Sequence, residues 1–194
     1  MAEPETGDLQ FLRRMRKGDE NAFDLLYERH QGRIFRFVLH MTGSQAIAEE
    51  VTQEVFMLLI RKPGAYDPDK GTLAAYLFGV ARNLARRATH VTPHVDLDEV
   101  EDSGQAPAQD ADIVEVLSNS EALESLRKAL LALPEEYREA VVLCNLQEMS
   151  YEQASAVMEC SVGTIASRLH RAHKLLKTRL GHRARSREKR NSHV

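Results

Sequence analysis

The chain has 194 residues, 43% of them hydrophobic and 28% charged, enough apolar material for one large domain or two small ones. Lys and Arg total 26 against 29 Asp and Glu, and the net charge of −3, taken as one number, speaks against a nucleic-acid partner. No apolar run approaches the roughly 18 residues that cross a bilayer. The acidic start Met1–Glu5 predicts no signal region, and Cys144 and Cys160 cannot build a disulfide framework or a zinc motif, so the expectation is a cytoplasmic protein with no membrane contact of its own.

In chain order, Phe23, Leu26, Tyr27, Ile34, Val38 and Met41 recur at helical spacing and predict an amphipathic helix. Gly43 and Ser44 break it, with Ser44 placed to cap the next helix. There Ile47, Val51, Val55, Leu58 and Leu59 form the apolar stripe, while Glu50, Gln53, Glu54 and Met57 follow at i, i+3, i+4 and i+7 on the opposite face. Two prolines and two glycines make Arg61–Gly71 a loop. Thr72 caps a third helix with Leu73, Leu77, Val80, Ala81 and Leu84 inward and Arg82, Asn83, Arg86 and Arg87 outward. From about 91 to 119 periodicity dissolves into Pro, Gly and acidic residues, a linker that reaches about 100 Å when fully stretched.

Helical signals resume near Ser120 with Leu123, Leu126, Leu130 and Leu133. Pro134 opens a helix at its first turn, followed by Glu135 and Glu136, which suit the dipole there. Ser150-Tyr151-Glu152-Gln153 reads as a capping box at the head of a short helix that stops near Met158. After a tight turn at Glu159-Cys160, Ser161 caps the longest helix, whose inward stripe is Val162, Ile165, Leu169, Ala172, Leu176 and Leu180. No strand-like alternation occurs, so the fold class is all-α: two small helical domains, 10–90 and 120–181, joined by a flexible acidic linker, 91–119, and followed by a basic tail, 182–194.

Placed along the chain, the charges stop looking balanced. Residues 61–90 carry six basic groups against two acidic ones, and 91–126 carry ten acidic groups with no Lys or Arg. Residues 166–194 carry ten basic groups against the single Glu188. Near-neutrality is the cancellation of two basic segments by acidic ones, and such blocks mark interaction surfaces or, more blandly, solvated faces.

A short helix, a tight turn and a longer helix with a basic outer face form a helix-turn-helix pattern. A helix entering a major groove about 12 Å wide needs small and polar groups near its N-terminus, so that its backbone approaches the base edges. Ser161, Gly163, Thr164 and Ser167 supply them, and Arg168, His170, Arg171 and Lys174 follow within reach of bases or phosphates. The plainer alternative is an amphipathic helix with ordinary surface arginines. No Ser-His-Asp, paired-carboxylate, metal-ligand or glycine-rich phosphate pattern emerges, so neither an enzyme nor a bound cofactor is expected.

The segment Ser161–Ala172, Ser-Val-Gly-Thr-Ile-Ala-Ser-Arg-Leu-His-Arg-Ala, resembles the promoter-reading helix of bacterial extracytoplasmic-function (group 4) RNA polymerase sigma factors of the sigma-70 family. Residues 48–56, Ala-Glu-Glu-Val-Thr-Gln-Glu-Val-Phe, resemble that family's polymerase-clamping helix, and 76–83, Tyr-Leu-Phe-Gly-Val-Ala-Arg-Asn, its −10-reading helix. Residues 131–138, Leu-Ala-Leu-Pro-Glu-Glu-Tyr-Arg, open the second domain as the family does. The resemblance covers roughly residues 10–180 and implies a region 2 bundle, a linker and a region 4 helix-turn-helix.

It also implies roles. Glu50, Gln53 and Glu54 would grip core RNA polymerase, with Glu50 where the family often has Asp. Lys62, Tyr66, Lys70, Tyr76, Arg82, Asn83, Arg86 and Arg87 would open and read the −10 element, with Tyr76 where Trp is usual. Ser161, Gly163, Thr164, Ala166, Ser167, Arg168, His170, Arg171 and Lys174 would serve the −35 element, with Ala166 where the family often has a basic residue. The implied partners are core polymerase, promoter DNA and an anti-sigma factor, and the implied linker path is the channel that nascent RNA later occupies. The competing reading is a two-domain helix-turn-helix regulator that acts without replacing a sigma factor.

Overall fold

The computed structural model of the chain describes residues 4–91 and 123–191, with side chains over 7–89 and 123–180; the acidic segment expected as a linker lies almost wholly outside them. In chain order the helices are α1 (Pro4–Met15), α2 (Glu20–Thr42), α3 (Gln45–Arg61), α4 (Leu73–Val91), α5 (123–131), α6 (Glu135–Val141), α7 (Tyr151–Met158) and α8 (Val162–Asn191). Among the described residues there is no strand and no helix long and apolar enough to cross a membrane.

Local chemistry sets the boundaries. Asp19 accepts from the Ala22 amide to start α2, and Ser44 accepts from the Ile47 amide to start α3, each satisfying a donor that the first helical turn leaves unpaired. Gly43 ends α2 at φ 72°, a left-handed conformation that carries no Cβ penalty in glycine, and its amide donates to the Leu39 carbonyl. The Ala75 amide donates to Thr72 Oγ1 at 3.1 Å at the head of α4. The Ser150–Gln153 box is complete, with reciprocal bonds of 3.1 and 3.2 Å.

α1 to α4 pack around Leu26, Ile34, Phe37, Val55, Leu59, Leu77 and Phe78, and the Phe37 and Phe78 rings meet edge-on at 5.3 Å. α5 to α8 pack around Leu130, Leu143, Val157, Ile165, Leu169 and Ala172. Between α6 and α7 the helix widens into a π turn over Val142–Leu146, closed by the Gln147 amide on the Val142 carbonyl at 2.9 Å. The final helix runs through Asn191, so the basic run expected as a tail from 182 continues α8.

The two bodies do not stand apart. Their buried residues form one continuous cluster. Arg33 on α2 donates to the Gln147 carbonyl at 2.7 Å, and Arg127 on α5 donates to the Gly43 carbonyl at 3.1 Å. Leu131 sits on Gly43 so closely that a Cβ there would lie 2.9 Å from Leu131 Cδ1.

Candidate nucleic-acid interface

The first turns of α8 form an open surface. Ile165, Leu169 and Ala172 anchor the helix in the core, as 3.6-residue periodicity requires. Ser161, Gly163, Ala166, Ser167, His170, Arg171 and Lys174 therefore share an exposed face. Ser161 caps the helix by accepting from the Thr164 amide at 3.1 Å, and its Oγ lies 2.8 Å from Thr164 Oγ1. α7 ends at Glu159 in the left-handed region, φ 54°, which turns the chain between the two helices. Arg168 is drawn back toward the domain, 3.5 Å from Glu136 and 3.7 Å from Cys160 Sγ. Arg171 reaches the Tyr137 hydroxyl at 3.5 Å, and His173 lies 3.1 Å from Asn145 Oδ1. What remains is a short polar face with cations behind it, at the positive end of a helix dipole: a surface fit for a groove edge and its phosphates.

The outer face of α3 is the second surface. Val51, Val55 and Leu59 point inward, leaving Glu50 and Gln53 exposed and Glu54 half-buried. Glu54 lies 3.9 Å from Arg61, and Ile60 is exposed at the end of the same stripe. Two carboxylates beside apolar groups suit a basic, partly apolar helical partner.

The third surface, the loop 62–71 and α4, departs from its sequence expectation in two places. Tyr66, expected among the residues that open and read the −10 element, is only 5% exposed. Its hydroxyl donates to the Gly71 carbonyl at 2.9 Å and its ring packs 5.6 Å from that of Tyr76, so Tyr66 pins the loop from inside. Tyr76 is half-buried, and that burial pushes its phenol up. Arg82, expected on the outer face of α4, is buried: its Nε donates to Glu139 Oε1 on α6 at 2.9 Å. Arg86 pairs with Glu135 and lies 3.4 Å from Glu139 Oε1. The hydrogen bond that Arg86 donates to Glu135, more than the opposing burial, raises the Arg86 guanidinium further above its ordinary value. Lys62, Lys70, Asn83 and Arg87 are exposed, with Lys70 3.5 Å from Asp67.

Arg16, outside every periodic pattern, holds this loop: its Nε donates to the Pro63 carbonyl at 2.9 Å and its Nη2 to the Tyr66 carbonyl at 3.4 Å. Backbone acceptors leave no mark in a sequence, so no signal pointed to Arg16. The charge count of 61–90 located the basic segment, but not the carboxylates that meet it. Among the described residues no group of His, Cys, Asp and Glu is arranged to hold a metal ion, and Cys144 and Cys160 are free, with burial pushing the Cys144 thiol up.

Comparison with known proteins bears on this geometry directly. The family description Sigma-70 region 2 matches residues 26–89, and Sigma-70 region 4 matches residues 123–176. The ECF RNA polymerase sigma factor SigE of Mycolicibacterium smegmatis is 32% identical over 164 residues, 82% of this chain; the chain spans 63% of that relative's length. RNA polymerase sigma factor CarQ of Myxococcus xanthus is 33% identical over 171 residues, 88% of this chain and 95% of CarQ. The sigma factor RpoE of Bartonella quintana, solved in complex with the anti-sigma factor NepR, matches with a TM-score of 0.63 and 26% identity over 82% of this chain and 96% of that one. Both regions are present in order and CarQ aligns almost end to end: the chain belongs to the extracytoplasmic-function sigma factors of the sigma-70 family, which initiate transcription at promoters together with RNA polymerase.

Proposed function

We propose that this sigma factor divides promoter recognition between its two bodies. The observation that carries the reading is the first four turns of α8, where Ser167, His170, Arg171 and Lys174 share one exposed face while Ile165, Leu169 and Ala172 lock its orientation. That face reads the −35 element: Ser161, Gly163 and Thr164 bring the helix N-terminus to a phosphate, Ala166 lets the backbone approach, and Arg168 and Lys174 hold the flanking backbone. Glu50, Gln53 and Glu54 bind core polymerase. Lys62, Lys70, Arg82, Asn83, Arg86 and Arg87 hold the −10 phosphates, with Tyr76 beside the captured base and Tyr66 shaping the loop beneath it.

The domains act as the units 10–90 and 120–181, joined by the acidic segment 91–119. The chain itself is not an enzyme: bond formation belongs to the polymerase, in the cytoplasm, and no cofactor takes part. An anti-sigma factor holds it inactive between signals; RpoE, solved with NepR, supports that partner class.

The test is reconstitution. Sigma-free core polymerase is mixed with the chain and promoter DNA, and run-off transcript from a defined start is the expected product. Specific binding to duplex DNA without polymerase, and no initiation, would instead favour the helix-turn-helix regulator.

A further inference from the structure

Several bonds close within the loop 62–71. The Ala65 amide donates to the Lys62 carbonyl at 3.0 Å, Asp67 accepts from the Asp69 amide at 3.1 Å, and the Tyr66 hydroxyl donates to the Gly71 carbonyl at 2.9 Å. Such bonds give the loop its form but do not set its place on the helical bundle. The buried Tyr66 ring seats its middle, whereas none of Lys62, Pro63, Gly64 and Ala65 is buried. That first half is held from outside by Arg16. Its Nε donates to the Pro63 carbonyl at 2.9 Å, and its Nη2 reaches both that oxygen and the Tyr66 carbonyl, the latter at 3.4 Å.

The backbone that carries Arg16 is itself fixed. The Arg16 amide donates to the Leu12 carbonyl at 3.0 Å as α1 ends, and Leu12 is in the core. Arg14 closes the turn into α2 on Asp19 at 2.8 Å. Further back, buried Asp8 accepts from Arg29 at 2.6 Å and lies 2.8 Å from His30 Nε2, which binds α1 to α2. A guanidinium suits the last step: its planar fork addresses two carbonyls from one head, whereas an ammonium is a strongly hydrated point charge.

We infer that Arg16 is a positioning residue for −10 recognition, holding the loop 62–71 in the form that discriminates among bases captured beside Tyr76 without touching the strand itself. This rests on the reading of that loop and Tyr76 as the −10 surface. The path is short. Arg16 holds the carbonyls of Pro63 and Tyr66, and the Tyr66 ring packs 5.6 Å from that of Tyr76. Freeing the first half of the loop lets Tyr66 shift, and with it the wall against which a base is fitted. A loop ordered in advance also loses less conformational freedom when the strand arrives. The unbraced loop therefore binds every base less tightly and separates them less sharply.

The experiment uses holoenzyme reconstituted from core polymerase and the full chain. It transcribes a promoter pool randomised at every position of the −10 and −35 elements, each template carrying a transcribed barcode. Wild type is expected to select one base at the captured position. Arg16→Ala should lose about tenfold of that preference, the equivalent of one charge-assisted hydrogen bond, and keep the −35 preferences. Arg16→Lys, which holds one carbonyl at a time, should fall between. Arg13→Ala removes the same charge from an exposed position on α1 and should match wild type. Arg16 is exposed, so its denaturation midpoint should stay at the wild-type value.

A second measurement separates positioning from direct contact: holoenzyme binding to a fluorescein-labelled single strand carrying the selected −10 sequence, across a salt series. The slope of log K against log salt should be the same in Arg16→Ala as in wild type. A slope shallower by about 0.7 makes Arg16 a phosphate contact and overturns the proposal. So does an equal loss of preference in Arg13→Ala, a loss that extends to the −35 element, or one accompanied by a lowered denaturation midpoint. A wild-type holoenzyme that selects no −10 sequence refutes the reading of the loop, and the proposal with it. A preference present in wild type and untouched by Arg16→Ala refutes the proposal alone.

Discussion

Region 2 and region 4 present their basic surfaces in opposite ways. In region 4 the reading face of α8 lies in solvent, its orientation fixed by Ile165, Leu169 and Ala172 beneath. In region 2 part of the basic face of α4 is turned into the molecule: Arg82 is buried on Glu139 and half-exposed Arg86 pairs with Glu135, while Asn83 and Arg87 stay in solvent. Both surfaces are equally visible as charge in the sequence, yet they differ in how far their arginines are taken up by carboxylates. Readiness depends on what lies opposite a surface.

That contrast can be broken on either side. The largest effect is expected at α3: Glu54→Lys abolishes polymerase binding and run-off transcription while the circular-dichroism melt stays within about 1 kcal/mol of wild type, since half-exposed Glu54 makes a single long ion pair with Arg61. Ile165→Ala attacks the support of the open surface. This side chain is fully buried, and its truncation should destabilise the chain by about 2 to 5 kcal/mol and remove −35 duplex binding, read by chemical denaturation and gel shift.

Arg171→Ala leaves the support and removes one cation from the open face. Affinity for a −35 duplex should fall by about 1 to 3 kcal/mol if the arginine reads a base. A fall that is uniform across sequences, with a salt slope shallower by about 1, would assign it to phosphate instead.

The smallest effect concerns the closed side. Burial, with help from the nearby charges of Arg127 and Arg36, pushes the His40 imidazole below its ordinary 6.5. Protonation therefore favours a chain in which α5 and its Arg127 have moved away. The contribution to closure is complete above pH 6.5 and is lost as pH falls through the lower folded value. The radius of gyration should grow on acidification from pH 7.5 to 5.5, and His40→Gln should flatten that response.

Much of this was legible in the sequence wherever the governing interaction is local. Ser44, Thr72, Ser150 and Ser161 cap their helices through bonds spanning three residues, and such bonds have a short sequence signature. The α3 and α8 stripes follow from periodicity alone. Arg82 was legible as a helical arginine, but its partner Glu139 lies 57 residues away, and periodicity carries no information at that range. Tyr66 misled for a related reason. An aromatic ring in a glycine-rich loop suggests exposure, but the loop is folded over it by Arg16 and by the Gly71 carbonyl, and backbone oxygens are the same in every sequence. The π turn at Val142–Leu146 is likewise invisible to a pattern with period 3.6.

Gly43 carries two unrelated duties on one absent carbon. Its positive φ ends α2, and the space where a Cβ would stand is filled by Leu131. Any side chain there would strain the end of α2 and force the Leu131 side chain to turn aside, so the punctuation of one helix and a contact between the two halves are written at a single position. Replacing Gly43 is therefore expected to cost stability on two separate grounds, the left-handed end of α2 and the seat of Leu131, although the residue touches neither nucleic acid nor polymerase in the roles described above.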